Sequence, residues 1–254
     1  MGLRIATNVS NTGVLYQLAA GFNAMTKHAL RLSSGLRINS AADDPAGLVI
    51  SEQLRCQIRS LGQEIDNLSA NINRYRTVSS SVGQLRSQLT ELRRLAIGAA
   101  NEGGNSEAAQ AAYDTAARDI VASFNATVKN AEYNGAKTLD GSEGSLVSIS
   151  ELTGIDLSTS EAAEASIGAI DEAISELDSA QIELGSTQKN ELESRKASLE
   201  VTRQNLTAAE SQIRDIDFAQ EYSGFISSVI RTQTAMAMLA HHSLTGASVL
   251  KLFQ

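Results

Sequence analysis

The sequence predicts a mainly α-helical protein, an elongated antiparallel bundle of long coiled-coil helices with a small β-hairpin and loop region mid-chain. Apolar residues recur every three or four positions in two separate stretches of about 50 residues, which is the spacing of a coiled-coil seam. A single proline among 254 residues argues against a turn-rich all-β fold. Two long helices in one chain bury their stripes most simply side by side, so we expect a rod.

The first predicted helix carries an apolar stripe of low charge. Leu15, Leu18, Phe22 and Met25 step by three and four residues, and Ser33-Ser34-Gly35 supplies a helix stop. A short, weakly charged amphipathic helix is marginal on its own. We therefore expect it to pair inside the monomer or to fold on another copy.

The second predicted helix begins at the motif Asp43, Asp44, Pro45. An aspartate accepts hydrogen bonds from the first free N–H groups of a helix, and proline already has the φ of the first turn. The first long stripe runs over residues 50–96 and ends before Asn101-Glu102-Gly103-Gly104. At 1.5 Å per residue a helix of this length measures about 75–80 Å.

A shorter helix and a turn follow. Apolar residues over 109–128 lie on one helical face, and Asn105-Ser106-Glu107 is placed to cap its start. Asn134-Gly135 predicts a tight hairpin turn. Residues 141–159 are rich in glycine, serine, threonine and aspartate, and we expect a short connecting loop or hairpin there.

The second long stripe runs over residues 167–216 and is interrupted by polar residues. Gln181, Gln188, Arg195 and Thr202 occupy seam positions, where polar residues fix register at some cost in stability. A last amphipathic helix and an apolar tail follow, with Val229, Met236 and Leu239 on its stripe; this helix matches the first one in its low charge.

Charge and composition exclude several classes of protein. The net charge is −8 and aromatic residues are only 4%, which argues against nucleic-acid binding. No stretch is long and apolar enough for a transmembrane helix, so we expect no membrane insertion. One cysteine permits no intrachain disulfide. We find no nucleophile, acid–base or metal-ligand pattern, and we predict no enzyme activity, cofactor or metal.

The distribution of charge favours contacts between distant segments. Residues 1–76 carry a net positive charge, whereas residues 137–200 are strongly acidic. Opposite charges favour pairing of the two segments, either within one molecule or between neighbouring copies.

Several motifs are similar to those of bacterial flagellin. Residues 30–48, LRLSSGLRINSAADDPAGL, resemble the N-terminal signature of that family, and residues 211–219, SQIRDIDFA, resemble its C-terminal signature. Residues 133–141 resemble the turn after its third core helix. The resemblance extends over essentially the whole chain.

The resemblance implies a division of the chain into three parts. Residues 1–43 and 217–254 would form a terminal helical hairpin at the inner core of a filament. Residues 44–140 and 160–216 would form the long-helix rod domain. Residues 141–159 would be a short connection in the place where longer members insert outer domains.

The implied function is that of a structural subunit that polymerises into the flagellar filament for motility. The residues expected to form the self-assembly interface are Leu15, Leu18, Phe22, Met25, Val229, Met236, Leu239, Val249, Leu250, Leu252 and Phe253. The alternative is a hook–filament junction protein with flagellin-like ends, which would stop at a short ring. A plain coiled-coil tether would not explain the apolar tips.

The resemblance also implies partners and a location. The partners are further copies of the chain, flagellar hook-associated and cap proteins, and an export chaperone for the C-terminal segment. Export would use the flagellar type III apparatus without a cleaved signal, and the protein would be extracellular.

One segment resembles the part of flagellin that an animal Toll-like receptor recognises. It contains Leu89, Glu91, Arg93, Arg94 and Leu95. Many flagellins have arginine at the position of Glu91 and glutamate at that of Arg94, so the two charges are exchanged here. A wrong charge at an interface is costly, and we expect weak or absent activation of the receptor.

Overall fold

The computed structural model describes residues 9–142 and 144–251, and the side chains of residues 11–142 and 144–241. The described residues are mainly helical, as the sequence predicts. The elements in chain order are α1 (Val9–Ser34), α2 (Pro45–Ala99), α3 (Glu107–Asn130), β1 (Glu132–Tyr133), β2 (Ala136–Lys137), α4 (Ser160–Ser186), a π segment (Thr187–Glu193), α5 (Ser194–Arg214) and α6 (Phe218–Lys251). They divide into two compact units, residues 1–60 with 203–254, and residues 61–202.

The helix boundaries follow from local capping. Gly35 follows α1 with φ +72°, a conformation that glycine adopts without steric cost. The Asp44 carboxylate accepts a hydrogen bond from the Gly47 N–H at 2.9 Å, and α2 begins between them. The Ser106 hydroxyl accepts from the Ala109 N–H at 3.2 Å at the start of α3.

The β-hairpin lies at the predicted Asn-Gly turn. Asn134 and Gly135 both have positive φ, 53° and 78°, as a two-residue type I′ turn requires. The strands β1 and β2 pair antiparallel on either side of it. Asn134 is the one described non-glycine residue with positive φ.

The following connection is a loop, one of the two predicted forms, and not a hairpin. Within residues 141–159 the described part of the chain has no strand and a single isolated bridge, in which Ser148 pairs with Asp140. The backbone of Leu152 instead bonds to the side-chain amide of Asn125 on α3, at 2.8 and 2.9 Å. A side chain of α3 therefore satisfies the polar groups that a strand partner would otherwise have to bond.

The unit of residues 61–202 has a continuous apolar core. It is formed by α2, α3, α4 and the connection. The stripe on α2 is buried at Ile65, Leu68 and Ile72 and again from Val78 onward, whereas Tyr75 is half-buried and Ile50 is 48% exposed. The largest buried side chains of this unit are Phe124, Leu85, Leu89, Leu92, Leu139, Leu157, Ile170, Leu177, Leu184, Val78 and Val82.

Ion pairs show how α2 and α4 are oriented. Arg86 contacts Asp178 at 2.7 Å and Arg93 contacts Asp171 at 2.5 Å. The residue number rises on α2 while it falls on α4, so the two helices are antiparallel. Arg86 and Arg93 lie beyond the basic segment 1–76, but Arg76 within it lies 3.5 Å from Glu193 of the acidic segment. This pair forms within one molecule, which was one of the two predicted alternatives.

In the unit of residues 1–60 and 203–254, two connections pair with each other. The Arg37 N–H donates to the Arg214 carbonyl at 2.7 Å, and the Ile216 N–H donates to the Gly35 carbonyl at 3.1 Å. Ile38, between α1 and α2, is 1% exposed. This pairing connects the chain near the end of α1 to the chain just before α6.

The π segment interrupts the second long stripe, which we predicted as one continuous helix. The core residues Ile170, Leu177 and Leu184 are seven apart, but the next apolar residue is Leu192, eight positions on. Seven residues form about two α-helical turns, so one extra residue would rotate everything after it by about 100°. The wider π turn takes up that residue, and Leu192 is half-buried.

Deleting Asn190 from the π segment will raise the thermal midpoint of unfolding by a few degrees. The deletion restores a seven-residue step and permits an unbroken α-helix, with the contacts on both sides preserved. The matched control is deletion of Ser80 from the regular helix α2, which turns Val82 and Leu85 away from the core. This control should lower the midpoint by on the order of 10 °C. Circular dichroism melts measure the midpoints of both variants. If the two deletions lowered the midpoint equally, the assignment of an extra residue in the π segment would be contradicted.

Candidate self-assembly surface

Helices α1 and α6 pack along a line of small side chains. A Cβ atom on Gly21 would lie 2.9 Å from the Thr232 hydroxyl oxygen, and one on Gly224 would lie 2.9 Å from Cε1 of His28. Such distances leave no room for a larger residue without movement. Ser228 and Thr232 are buried, and their hydroxyls donate to carbonyls four residues earlier on the same helix.

Because small residues form this contact, large apolar side chains remain outside it. Leu15 is 51% exposed, Phe22 42% and Met236 45%. We call the surface that these three form with four half-buried neighbours the bulky face. The half-buried members are Leu18, Met25, Val229 and Leu239. Of the other predicted interface residues, Val249 and Leu250 lie in α6 but their side chains are outside the described residues, and Leu252 and Phe253 lie entirely outside them.

The helical hairpin of α1 and α6 exposes further apolar side chains that were not among the predicted interface residues. Four of them on α6 are four residues apart and form a ridge, namely Phe218, Tyr222, Ile226 and Ile230. That four-residue spacing is visible in the sequence. The described exposed apolar surface is therefore larger than predicted.

A groove lies between α1 and α6. Its volume is about 490 Å³, and its floor is made by the small residues Gly21, Ala24, Ser228 and Ala235. Its walls are Val14, Gln17, Ala20, Ile230, Arg231, Thr234 and Met238. We name it the small-residue groove. No sequence pattern predicts this groove, because alanine and serine are common on any helix surface.

Charged side chains gather where the hairpin meets the connection to α2. The Lys27 ammonium contacts the Asp43 carboxylate at 2.8 Å, and Arg31 lies 3.7 Å from it. The Nδ1 atom of His28 lies 2.6 Å from a Glu221 carboxylate oxygen, and Arg31 is 3.6 Å from the same oxygen. The Lys27 hydrogen bond, followed by backbone N–H donors, lowers the pKa of Asp43 from 3.8 to about 2.

The lowered pKa of Asp43 predicts a loss of stability in acid. The ionised carboxylate stabilises the fold fully above about pH 4, and this contribution disappears as the pH falls towards 2. Asp43→Asn should therefore lower the thermal midpoint at pH 6, and the difference from wild type should vanish near pH 2. Melts between pH 6 and 2 measure it, with Asp66→Asn at an exposed aspartate of α2 as the control. A constant difference at every pH would refute the assignment.

The receptor-like segment is only partly exposed. Leu89 is 0% and Leu95 8% exposed, so these two belong to the core and not to the surface as predicted, because both continue the buried stripe of α2. The Arg94 guanidinium donates two hydrogen bonds to the Glu91 carboxylate, at 2.9 and 2.6 Å. This pairing lowers the pKa of Glu91. Arg93 binds Asp171, so all three outward charges are paired.

Other kinds of site receive no support from the described residues. None of the histidine, cysteine, aspartate and glutamate groups there could hold a metal ion. None of the described helices is long and apolar enough to cross a membrane. Cys56 is exposed and forms no disulfide.

Comparison with known proteins gives a consistent result over nearly the whole chain. Residues 5–144 match the family model described as the bacterial flagellin N-terminal helical region, and residues 167–253 match that of the C-terminal helical region. The chain is 36% identical to a flagellin of Halalkalibacterium halodurans, over 96% of this chain and 95% of the relative. It is 30% identical to a flagellin of Bacillus subtilis, over 99% and 100%. A flagellar filament core protein of Brachyspira hyodysenteriae is 29% identical, over 91% and 92%.

Proposed function

The chain belongs to the bacterial flagellin family, and we propose that it assembles into the filament through the bulky face of its α1–α6 hairpin. Membership makes it a structural subunit of the flagellar filament, and family members polymerise with themselves. The role we propose is accordingly structural and not catalytic. The observation that supports the surface is the exposure of large apolar side chains beside a contact built from small ones.

The energetics favour burial of this face against other copies. Fully burying a leucine, methionine or phenylalanine side chain stabilises by about 1.5–3 kcal/mol, and each residue of the bulky face has part of that still to gain. Leu15, Phe22 and Met236 are each about half exposed, so they have the most to gain. The loss of translational, rotational and side-chain freedom on association offsets part of the gain.

We further propose the layers in which the chain is arranged within the filament. Residues 1–43 and 217–254 form the inner layer, and residues 44–140 with 160–216 form the rod around it. Residues 141–159 form a short connection on the outer side of the rod. The compact loops of that connection support this arrangement, since they contain few residues and bond back to α3.

The test is growth of purified full-length protein on sheared filament fragments after addition of a precipitant, observed by negative-stain electron microscopy. We expect long uniform tubes. Short rings or unassembled protein would overturn the proposal and favour the hook–filament junction alternative.

We also propose the family's route and partners for this chain. Export through the flagellar type III apparatus would deliver it to the extracellular filament, with an export chaperone holding the C-terminal segment. Hook-associated and cap proteins would bound the filament at its two ends. The uncovered apolar residues of α6, such as Tyr222 and Ile226, support a need for such a chaperone before assembly.

For the animal Toll-like receptor we propose weak activation. Glu91 and Arg94 neutralise each other on the surface of α2, and a receptor arranged for the reversed charges meets an acidic group first. The exchange Glu91→Arg with Arg94→Glu keeps the ion pair and should raise potency in a receptor reporter assay at least tenfold. Full potency of the unmodified protein would contradict the proposal.

A further inference from the structure

We propose that the bulky face of one copy packs into the small-residue groove of a second copy. This inference rests on the proposed function and specifies the partner surface, which neither the sequence pattern nor the family comparison identifies. It makes the contact between hairpins heterologous, with two different patches meeting.

The first step is that the two surfaces lie on opposite sides of the hairpin. Consecutive residues of an α-helix are rotated by about 100°, so residues two apart point in nearly opposite directions across the helix. On α1 the groove residue Ala20 lies two positions from Phe22 of the bulky face. On α6 the groove residues Arg231 and Thr234 each lie two positions from Val229 or Met236. One hairpin can therefore use both surfaces at once.

The second step is that the surfaces are complementary in shape. The groove floor consists of small side chains, and its volume of about 490 Å³ lies in the range of about 300–1,000 Å³ that protein sites use to enclose small molecules. It has room for more than one large apolar side chain. The bulky face presents such side chains, with Leu15 and Phe22 seven residues apart along α1.

The third step concerns charge. Residues 11–26 of α1 carry no charged side chain, so no charge of α1 within that range is desolvated when the bulky face is buried. Arg231, on the groove wall, is exposed, and its aliphatic stem can cover an inserted apolar side chain while the guanidinium remains in water.

The fourth step separates this arrangement from its alternative. If bulky faces met each other, one patch would serve both copies and the pair would close on itself. When the bulky face of one copy occupies the groove of another, the pair still has one free bulky face and one free groove. A third copy can then join in the same way, and assembly continues without limit.

The contact can be tested by cross-linking in assembled filaments. Full-length chains in a Cys56→Ser background receive one cysteine each, at Leu15→Cys on the bulky face, or at Gln17→Cys or Thr234→Cys on the groove wall. After seeded growth of one-to-one mixtures, a short bismaleimide is added and the products are identified by mass spectrometry. We expect dimers that join a Leu15→Cys chain to a groove-wall chain. Predominant pairs of two Leu15→Cys chains, or no cross-link in filaments, would overturn the inference.

A groove-filling variant tests the same contact without cross-linking. Ala20→Leu enlarges the groove wall at an exposed position, so the monomer's melting curve should be unchanged while its elongation rate on wild-type seeds falls at least tenfold. The control Asn23→Leu places the same side chain at an exposed residue of α1 outside both surfaces, and it should elongate like wild type. Equal elongation by both variants would refute the groove contact. Failure of the wild-type chain itself to elongate would instead refute the proposed function.

Discussion

Replacing Leu15 and Phe22 together by serine will raise the protein concentration needed for seeded elongation by about 10–100-fold. Each side chain is about half exposed in the monomer, so roughly half of the 1.5–3 kcal/mol for its full burial remains to be gained on assembly. The two losses together amount to about 1.5–3 kcal/mol, and each 1.4 kcal/mol is tenfold in an equilibrium constant. The measurement is the residual soluble protein after growth on seeds reaches a plateau.

The control for this double variant is Leu30→Ser. Leu30 is 58% exposed on the same helix but lies outside the bulky face and the groove. Its replacement should leave the residual soluble concentration unchanged. A double variant that elongates at the wild-type concentration would contradict the assignment of the bulky face, provided that circular dichroism shows the same helix content.

Replacing Phe124 by alanine will lower the free energy of unfolding by about 3–5 kcal/mol. Phe124 is 1% exposed in the core of the unit 61–202, and removing a buried phenylalanine side chain leaves a cavity that the neighbouring helices fill only in part. Whole-domain stabilities are only about 5–15 kcal/mol, so the loss is a large fraction of the total. Urea unfolding followed by circular dichroism measures it.

The matched control is Ile182→Ala, in the same unit. Ile182 is 73% exposed on α4, so truncating it should change the free energy of unfolding by no more than about 0.5 kcal/mol. Similar effects of the two variants would show that the core is not centred on Phe124.

The elements that the sequence predicts best are those with a local physical cause. Asp44-Pro45, Ser106 and Asn134-Gly135 each determine backbone conformation within a few residues, and the structure has a helix start or a turn at each. The long stripes are equally local, because side chains three and four residues apart lie on one helical face. The fold class follows from these signals alone.

The remaining features depend on partners that are distant in sequence. The groove exists only because the small residues of α1 and α6 meet, and neither helix shows it alone. Asp43 was expected to belong to the helix start; in the structure it binds Lys27 and the N–H groups of Asn39 and Ser40. Leu95 was assigned to a surface segment by resemblance, although it continues a buried stripe.

The meeting of α1 with α6 also bears on the order of folding. His28 and Glu221, which contact each other in the hairpin, are 193 residues apart in the chain. Contacts of such long sequence separation require closure of a large loop, and they form later than the hairpin at Asn134 or the turns of α2. We therefore expect substitutions between α1 and α6, such as Gly224→Ala, to speed unfolding while leaving the folding rate nearly unchanged. Late closure would keep the two ends of the chain separate until the rest of the molecule is already in place.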